Sequence, residues 1–292
     1  MTASPPTPRE GRALEQGPFV GVPDHLGAPL THWLRGRLID PAPVFDFWHA
    51  GPRVKIALIH RVTLVGRIRL PGHPEPMDEL THVLDWWQQD PEQFLDFIHY
   101  FLQEIDVAEN DVKALDRTLE RGGSVWRATD RGLERRVDPA ATGAFEMAAS
   151  PEDTASDELA VAWTKAYGRD PDLSDAWDHA IKAVEAVLIP IVVPTQAGAH
   201  IGHVIGQLDR QGEQWNTLLR FNQTTPPVNP PTTSVQALVG MLRLIYPNPD
   251  RHLGPDHRVP TIEEARAVVH LAVTIVQWGR DDLIVRRAAD DA

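Results

Sequence analysis

The sequence predicts a mainly α protein, with a helical bundle in its C-terminal half and a mixed, mostly helical N-terminal half that contains one β-hairpin. Three observations predict this class. Apolar residues recur at helical spacing in most segments, capping patterns precede several of these segments, and one short stretch has a strand–turn–strand pattern. At 292 residues the chain is long enough for two domains that each bury a core.

The composition along the chain predicts where these domains begin and end. Residues 1–20 contain four prolines among small polar residues, which is typical of a disordered tail. We expect an N-terminal regulatory domain over residues 21–150 and a C-terminal helical domain over residues 157–292. The acidic stretch between them contains serine and proline, as inter-domain joins often do.

The N-terminal half is predicted to be helical apart from its hairpin. Gly122 and Gly123 provide a helix stop, and Asp138 followed by Pro139 is typical of an N-cap and first helical position. The predicted elements, in order, are a helix over 24–38 capped by Asp24, a buried helix or strands over 54–65, helical structure over 78–103, a helix over 110–121, a hairpin turning at 130–132, and the helix opened by Asp138.

Five further helices are predicted after the join, and their short connections indicate a bundle. The strongest single signal is the capping box formed by Thr261 and Glu264. The predicted helices are 157–167 closed by Gly168, a long helix capped by Asp172 or Ser174 and ended by Pro190, 196–209, a helix capped by Ser234, and a helix from Thr261 to about Trp278.

Charge and hydropathy restrict the function classes. The formal net charge of −13 argues against constitutive DNA binding, which needs a dense basic face, but it allows RNA to bind transiently in a small cleft. The chain has no cysteine, so no thiolate chemistry is available. The residues after Met1 lack a signal-peptide pattern, and the apolar run over 183–193 is too short for a membrane span. We therefore expect a cytoplasmic protein without a membrane partner.

One loop carries the residues with the clearest chemical potential. Between the last two predicted helices, prolines and a glycine hold Arg251, His252 and His257 close to a capped helix N-terminus. Arginine binds phosphate oxygens, histidine exchanges protons near neutral pH, and the helix end adds partial positive charge. These groups suit RNA cleavage without a metal. The alternative is a solvated turn in which Arg251 pairs with Asp250 or Asp256.

This loop resembles the arginine–polar–spacer–histidine motif of the HEPN superfamily. Arg251 is followed by a polar residue, and five residues separate it from His257. The resemblance covers about residues 157–280 and is closer still to abortive-infection C-terminal domains. A charged row on the preceding long helix resembles the glutamate–lysine–glutamate row that accompanies the motif; its members here are Asp178, Lys182 and Glu185.

The resemblance implies a HEPN-like helical domain and a metal-independent endoribonuclease of phage defence that acts as a homodimer without a cofactor. Arg251 would stabilise the phosphate, His257 would be the acid/base, and His252 would assist it. The N-terminal domain would sense a trigger or hold the nuclease silent, and an inhibitory partner protein would be a further partner. Two alternatives stay open: a non-catalytic helical module for dimerisation or partner binding, and a small-ligand-binding regulator with a pocket lined by Trp33, Trp48, Trp86 or Trp126.

The remaining candidates favour structural roles. His200 and His203 are three residues apart, but the sequence places no third metal ligand near them, so capping or solvent-facing roles are expected. Glycines at every fourth position predict a close helix–helix approach; they are Gly198, Gly202 and Gly206. A local basic patch around the hairpin is expected to pair with acids rather than RNA; it comprises Arg131, Arg135 and Arg136.

Overall fold

A computed structural model describes residues 18–40, 53–72, 75–217, 219, 233–251, 257–282 and 286–287 of the chain. It is mainly helical, with short two-stranded sheets, which confirms the predicted class. The chain divides into two compact units between Arg136 and Val137. The predicted tail over residues 1–20 lies outside the described residues apart from its last three positions.

The first unit contains five helices and two antiparallel strand pairs among its described residues. Ile39 pairs with Val54 in one strand pair, and Trp126 pairs with Arg135 in the hairpin. The elements are α1 (Asp24–Leu38), β1 (Ile39–Asp40), β2 (Arg53–Val54), α2 (Ile56–Val65), α3 (Pro76–Gln89), α4 (Pro91–Glu104), α5 (Glu109–Arg121), β3 (Trp126–Thr129) and β4 (Gly132–Arg135).

Aromatic side chains fill the core of the first unit. Trp33 meets Phe101 edge to face, with ring centroids 5.9 Å apart, and Trp86 meets Phe97 at 5.7 Å. The hairpin packs on α4 through Gly132, whose φ of +114° lies in the region that side chains avoid. A Cβ there would also lie 2.5 Å from the His99 ring, so only glycine fits this turn.

The second unit is a helical bundle with a third strand pair. Every long element of this unit is helical. In the first unit, the segment over residues 54–65, for which a helix and strands both stayed open, forms the helix α2 after Val54 ends β2. The elements are α6 (Pro139–Ala148), α7 (Thr154–Tyr167), α8 (Leu173–Val192), α9 (Ile201–Arg210), a 3-10 turn (Gly212–Gln214), β5 (Trp215–Asn216), α10 (Ser234–Ile245), α11 (Ile262–Arg280) and β6 (Arg286–Arg287).

Helix α8 is the centre of this bundle and packs against α7, α9 and α11. Its inward face is apolar, including Ile181, Val184 and Leu188, all at most 2% exposed. Gly279 of α11 permits a close crossing with α8, since a Cβ there would lie 2.4 Å from Val187. Burial of this face supplies the hydrophobic free energy that holds the bundle together.

Helix α6 belongs to the second unit, whereas the sequence placed the division at residues 150–157. Gln277 of α11 donates to the Ala144 carbonyl oxygen at 2.9 Å, and Phe145 stacks on Trp163 of α7. The acidic join is instead a short connection within the bundle, where Asp153 caps α7. Its polar composition reflects helix capping and solvent exposure rather than a domain boundary.

Capping residues account for the helix starts that were predicted correctly and for those that were not. Asp138, Asp172 and Thr261 each accept a backbone N–H as N-caps, as predicted. Asp24 is instead the first helical residue of α1, after Pro23. Thr233 rather than Ser234 caps α10, because its side chain accepts from Gln236 N in a reciprocal capping box.

Three helix boundaries in the second unit differ from prediction, and one of them is the start of α7, at Thr154 rather than Asp157. Helix α8 continues through the exposed Pro190 to Val192, because a proline in the last turn removes only a single backbone donor. Helix α9 begins at Ile201, five residues after the predicted start at Gln196. The glycine pattern does not mark a helix contact either: Gly198 precedes α9 with φ +63°, and a Cβ on Gly202 would first meet the His200 ring.

Candidate functional site

The loop between α10 and α11 is anchored on α8 by Asn248, which is 2% exposed. Its Nδ2 donates to the Ser174 carbonyl oxygen at 3.0 Å and to Asp178 Oδ1 at 2.9 Å. Its Oδ1 accepts from Asp250 N at 3.0 Å, and its carbonyl accepts from Arg251 N. A buried amide with this many partners fixes the backbone that carries Arg251.

Arg251 lies at the surface beside Asp178 of α8. Its Nε is 3.5 Å from Asp178 Oδ2, and its side chain is 54% exposed. This distance is long for a hydrogen bond, so the contact is mainly electrostatic. Asp178 therefore uses one oxygen to hold the loop through Asn248 and the other to orient the guanidinium, which keeps most of its donors open to solvent.

His257 lies in the same loop and has its own acidic partner. His257 Nε2 is 3.1 Å from Asp250 Oδ1, and the imidazole is 36% exposed. A carboxylate at Nε2 favours the tautomer with its proton on that nitrogen, which leaves the lone pair on Nδ1. The carboxylate orients one ring nitrogen, and no partner of the other nitrogen lies among the described residues, as in a catalytic base held by a third group.

The predicted charged row on α8 does not act as one set. Asp178 contacts Arg251, as above, but Glu185 Oε1 accepts from Ile201 N at 2.8 Å and so caps α9. Lys182 is exposed, and no partner for it lies among the described residues. His252, the predicted assisting residue, lies outside the described residues. The site that is brought together comprises Arg251, Asp178, Asp250 and His257.

A polar pocket of about 450 Å³ adjoins this loop, and sequence reasoning missed it. Asp250 belongs both to its wall and to the His257 pair. Lys165 reaches it from α7, with Nζ 3.1 Å from Asp175 Oδ2. The lining residues are Lys165, Asp170, Pro171, Asp172, Leu173, Ser174, Asp250 and Val259.

A histidine between two carboxylates extends this polar region along α7 and α8. His179 Nε2 is 3.3 Å from Asp175 Oδ1, and its Nδ1 contacts Glu158. Because Asp175 also holds Lys165, the lysine that lines the pocket is fixed by a continuous chain of polar contacts. No local pattern in the sequence indicates this chain, since its members come from two helices.

The other predicted candidates have structural roles. His200 Nδ1 accepts from Gly202 N, and His203 Nδ1 accepts from His200 N, so this pair forms a capping box for α9. Among the described residues, no group of three or more histidine, aspartate or glutamate side chains is placed to hold a metal ion. Arg136 of the basic patch pairs with Asp116 at 2.7 Å, as expected of a patch that pairs with acids.

Two further polar sites, one buried and one partly buried, have shifted pKa values. Burial raises the pKa of Glu134 in the hairpin, although Arg127 beside it acts in the opposite direction. On α7 and α11, the Tyr167 hydroxyl lies 2.6 Å from His270 Nε2. Burial raises the pKa of Tyr167 and lowers that of His270, so both groups are neutral near pH 7.

The described tryptophans of the predicted ligand pocket, Trp33, Trp86 and Trp126, are each at most 8% exposed. Trp33 also borders an open groove of about 900 Å³ with Arg35 and Arg37. The Arg37 guanidinium lies 4.1 Å from the centre of the Trp33 ring. Trp48 lies outside the described residues.

Comparison with known proteins found no matching family model, no matching curated protein and no matching solved structure. None of the helices within the described ranges combines the length and apolar character that crossing a membrane requires. Function therefore has to be argued from the loop and the pocket themselves.

Proposed function

We propose that the protein is a metal-independent endoribonuclease of phage defence, of the abortive-infection type, that acts as a homodimer. The observation that carries this proposal is a surface arginine and a surface histidine in one anchored loop, each oriented by its own carboxylate. The resemblance of this loop to the HEPN motif supports the same chemistry. The dimer and an inhibitory partner protein follow from that resemblance.

The proposed reaction uses His257 Nδ1 as the base. The imidazole accepts the proton of a ribose 2′-hydroxyl, and the 2′-oxygen then forms a bond to the adjacent phosphorus. Arg251 stabilises the negative charge of the resulting phosphorane. The bond from phosphorus to the 5′-oxygen breaks, and that oxygen takes a proton from a second acid, which yields a 2′,3′-cyclic phosphate and a 5′-hydroxyl.

The charge distribution makes RNA binding local and transient. A net charge of −13 disfavours a long RNA contact, so affinity has to come from few cations near the reacting phosphate. The described residues give the Arg251 guanidinium a single long contact, with Asp178, which leaves donors for this purpose. Affinity should therefore fall as salt rises, with the shallow slope expected of one or two phosphate contacts.

The test compares wild type with Arg251→Ala on total RNA in EDTA, with detection of cyclic-phosphate ends. Loss of one group that stabilises the transition state should lower the rate by about 10²–10³-fold. Arg243→Ala is the matched control, because Arg243 is also a surface arginine of this unit, 57% exposed and paired with Asp209. Equal inactivity of wild type and both variants, all folded and dimeric, would contradict catalysis.

That negative result would favour a non-catalytic helical module for dimerisation or partner binding. Both candidate groups already have partners within the chain, Asp178 for Arg251 and Asp250 for His257, as a structural role requires.

A small-ligand-binding regulator is the third candidate. The open groove beside Trp33 favours it, since arginine and an aromatic edge there suit a planar anion.

A further inference from the structure

The pocket beside the α10–α11 loop has a lining that is part apolar and part polar. Pro171, Leu173 and Val259 supply the apolar part. Val259 is 65% exposed, so an apolar surface lies open to solvent in a mostly polar lining. A flat ring with polar edges suits this combination, because it can cover apolar side chains and still reach hydrogen-bonding groups.

The polar part of the lining offers carboxylate acceptors and the ammonium donors of Lys165. Asp172 Oδ1 accepts from Asp175 N, and its other oxygen has no partner among the described residues. Asp250 contributes a second carboxylate beside His257. Lys165 has three donors, of which its contact with Asp175 uses one. The excess of carboxylates repels phosphate, so a phosphorylated ligand would place its base here and its phosphate elsewhere.

We propose that this pocket binds a guanine base of the RNA, an inference that rests on the proposed function. Ionised carboxylates only accept hydrogen bonds. Guanine has two adjacent N–H donors on its Watson–Crick edge, next to a carbonyl oxygen that Lys165 can reach as a donor. The other three bases lack two adjacent donors. The phosphate of the same nucleotide then lies towards Arg251 and His257.

The test measures binding of guanosine, adenosine, cytidine and uridine 3′-monophosphates to the full chain by calorimetry. Guanosine 3′-monophosphate should bind at least about tenfold more tightly than the other three. Asp172→Asn and Lys165→Met should each abolish that preference, whereas Arg251→Ala should weaken all four nucleotides alike. Asparagine is as good an N-cap as aspartate, so Asp172→Asn preserves the start of α8.

Matched controls are Asp209→Asn and Lys113→Met, which remove one exposed carboxylate and one exposed ammonium group elsewhere. Both should bind nucleotides as wild type does. Equal affinity for the four nucleotides, or no binding of any, would overturn the guanine site. Tighter binding of N-acetyl-arginine amide than of every nucleotide would also overturn it and indicate a cationic protein segment as the ligand.

Cleavage assays separate this inference from the proposed function. RNA cleavage that depends on Arg251 but shows no preference for guanine would remove the pocket assignment and leave the nuclease. Guanine-selective binding by a chain that cleaves no RNA would keep the pocket and remove the nuclease.

Discussion

Two histidines of the second unit have opposite surroundings. His257, in the α10–α11 loop, is 36% exposed and lies beside the carboxylate of Asp250. His270, on α11, contacts the neutral hydroxyl of Tyr167 and the ring of Trp163, and burial lowers its pKa. A charged partner and solvent favour proton exchange, whereas a neutral partner and aromatic neighbours favour a fixed neutral ring. The first surroundings suit chemistry and the second suit packing.

The aromatic cluster around His270 should therefore dominate stability. Phe145 stacks on Trp163 with centroids 4.2 Å apart, and Tyr167 lies at 4.5 Å from the same indole. Trp163→Ala should lower the free energy of unfolding by about 3–5 kcal/mol, because it removes a buried ring from a packed core. Denaturant unfolding followed by circular dichroism measures this loss.

Two variants sharpen this prediction. Trp163→Phe should cost less, because Trp163 Nε1 has no hydrogen-bond partner in the described part of the chain and only ring contacts are reduced. Arg251→Ala should change stability by less than about 1 kcal/mol, as expected of an exposed ion pair. A Trp163→Ala variant as stable as Arg251→Ala would contradict the division between a packing cluster and an exposed site.

The sequence could predict contacts that side chains make within a few residues of their own position. Caps such as Thr261 and Asp138 act within three residues, so their side chains and their targets are visible in one short pattern. The loop with Arg251 and His257 was found for the same reason. His200 was expected to cap a helix or to face solvent, and it caps α9, although histidine seldom has that role and its Nδ1 accepts only in one tautomer.

Local sequence patterns could not predict contacts between segments that are far apart in the chain. Asn248 anchors its loop on a helix 70 residues earlier in the chain, although it lies between two prolines that draw attention to the turn. Lys165 and Asp250 line one pocket from α7 and from the loop before α11. Nothing in the spacing of either residue indicates the other, since packing of the bundle alone sets their proximity.

The start of α11 connects the exposed loop to the packed helix, and its cap should contribute a moderate free energy. Thr261 Oγ1 accepts from Glu264 N, and Glu264 Oε2 accepts from Thr261 N. Thr261→Ala should lower the free energy of unfolding by about 0.5–2 kcal/mol. Thr154→Ala is the control, because Thr154 is the first residue of α7 and Asp153 is its cap. Equal losses in the two variants would show that the capping box is not the source of the effect.

The pH dependence of stability should report the buried histidine. Since burial lowers the pKa of His270 in the folded chain, the unfolded chain binds more protons as the solution becomes acidic. The stability that neutral His270 contributes is fully present above the ordinary imidazole value of about 6.5 and is lost as pH falls through the lower folded value. Burial raises the pKa of Tyr167, so this partner does not titrate in the same range.

His270→Gln isolates this contribution, because glutamine keeps a polar partner for the Tyr167 hydroxyl but does not titrate. Unfolding free energies of wild type and variant, measured between pH 7.5 and pH 5, should converge towards the acidic end, with wild type losing more. This effect should be smaller than the losses of stability in Trp163→Ala and Thr261→Ala, because His270 is only partly buried and solvent screens its charge. Parallel pH profiles of wild type and His270→Gln would mean that the His270 imidazole is protonated equally in the folded and unfolded chain. The contrast between His270 and His257 would then rest on packing alone.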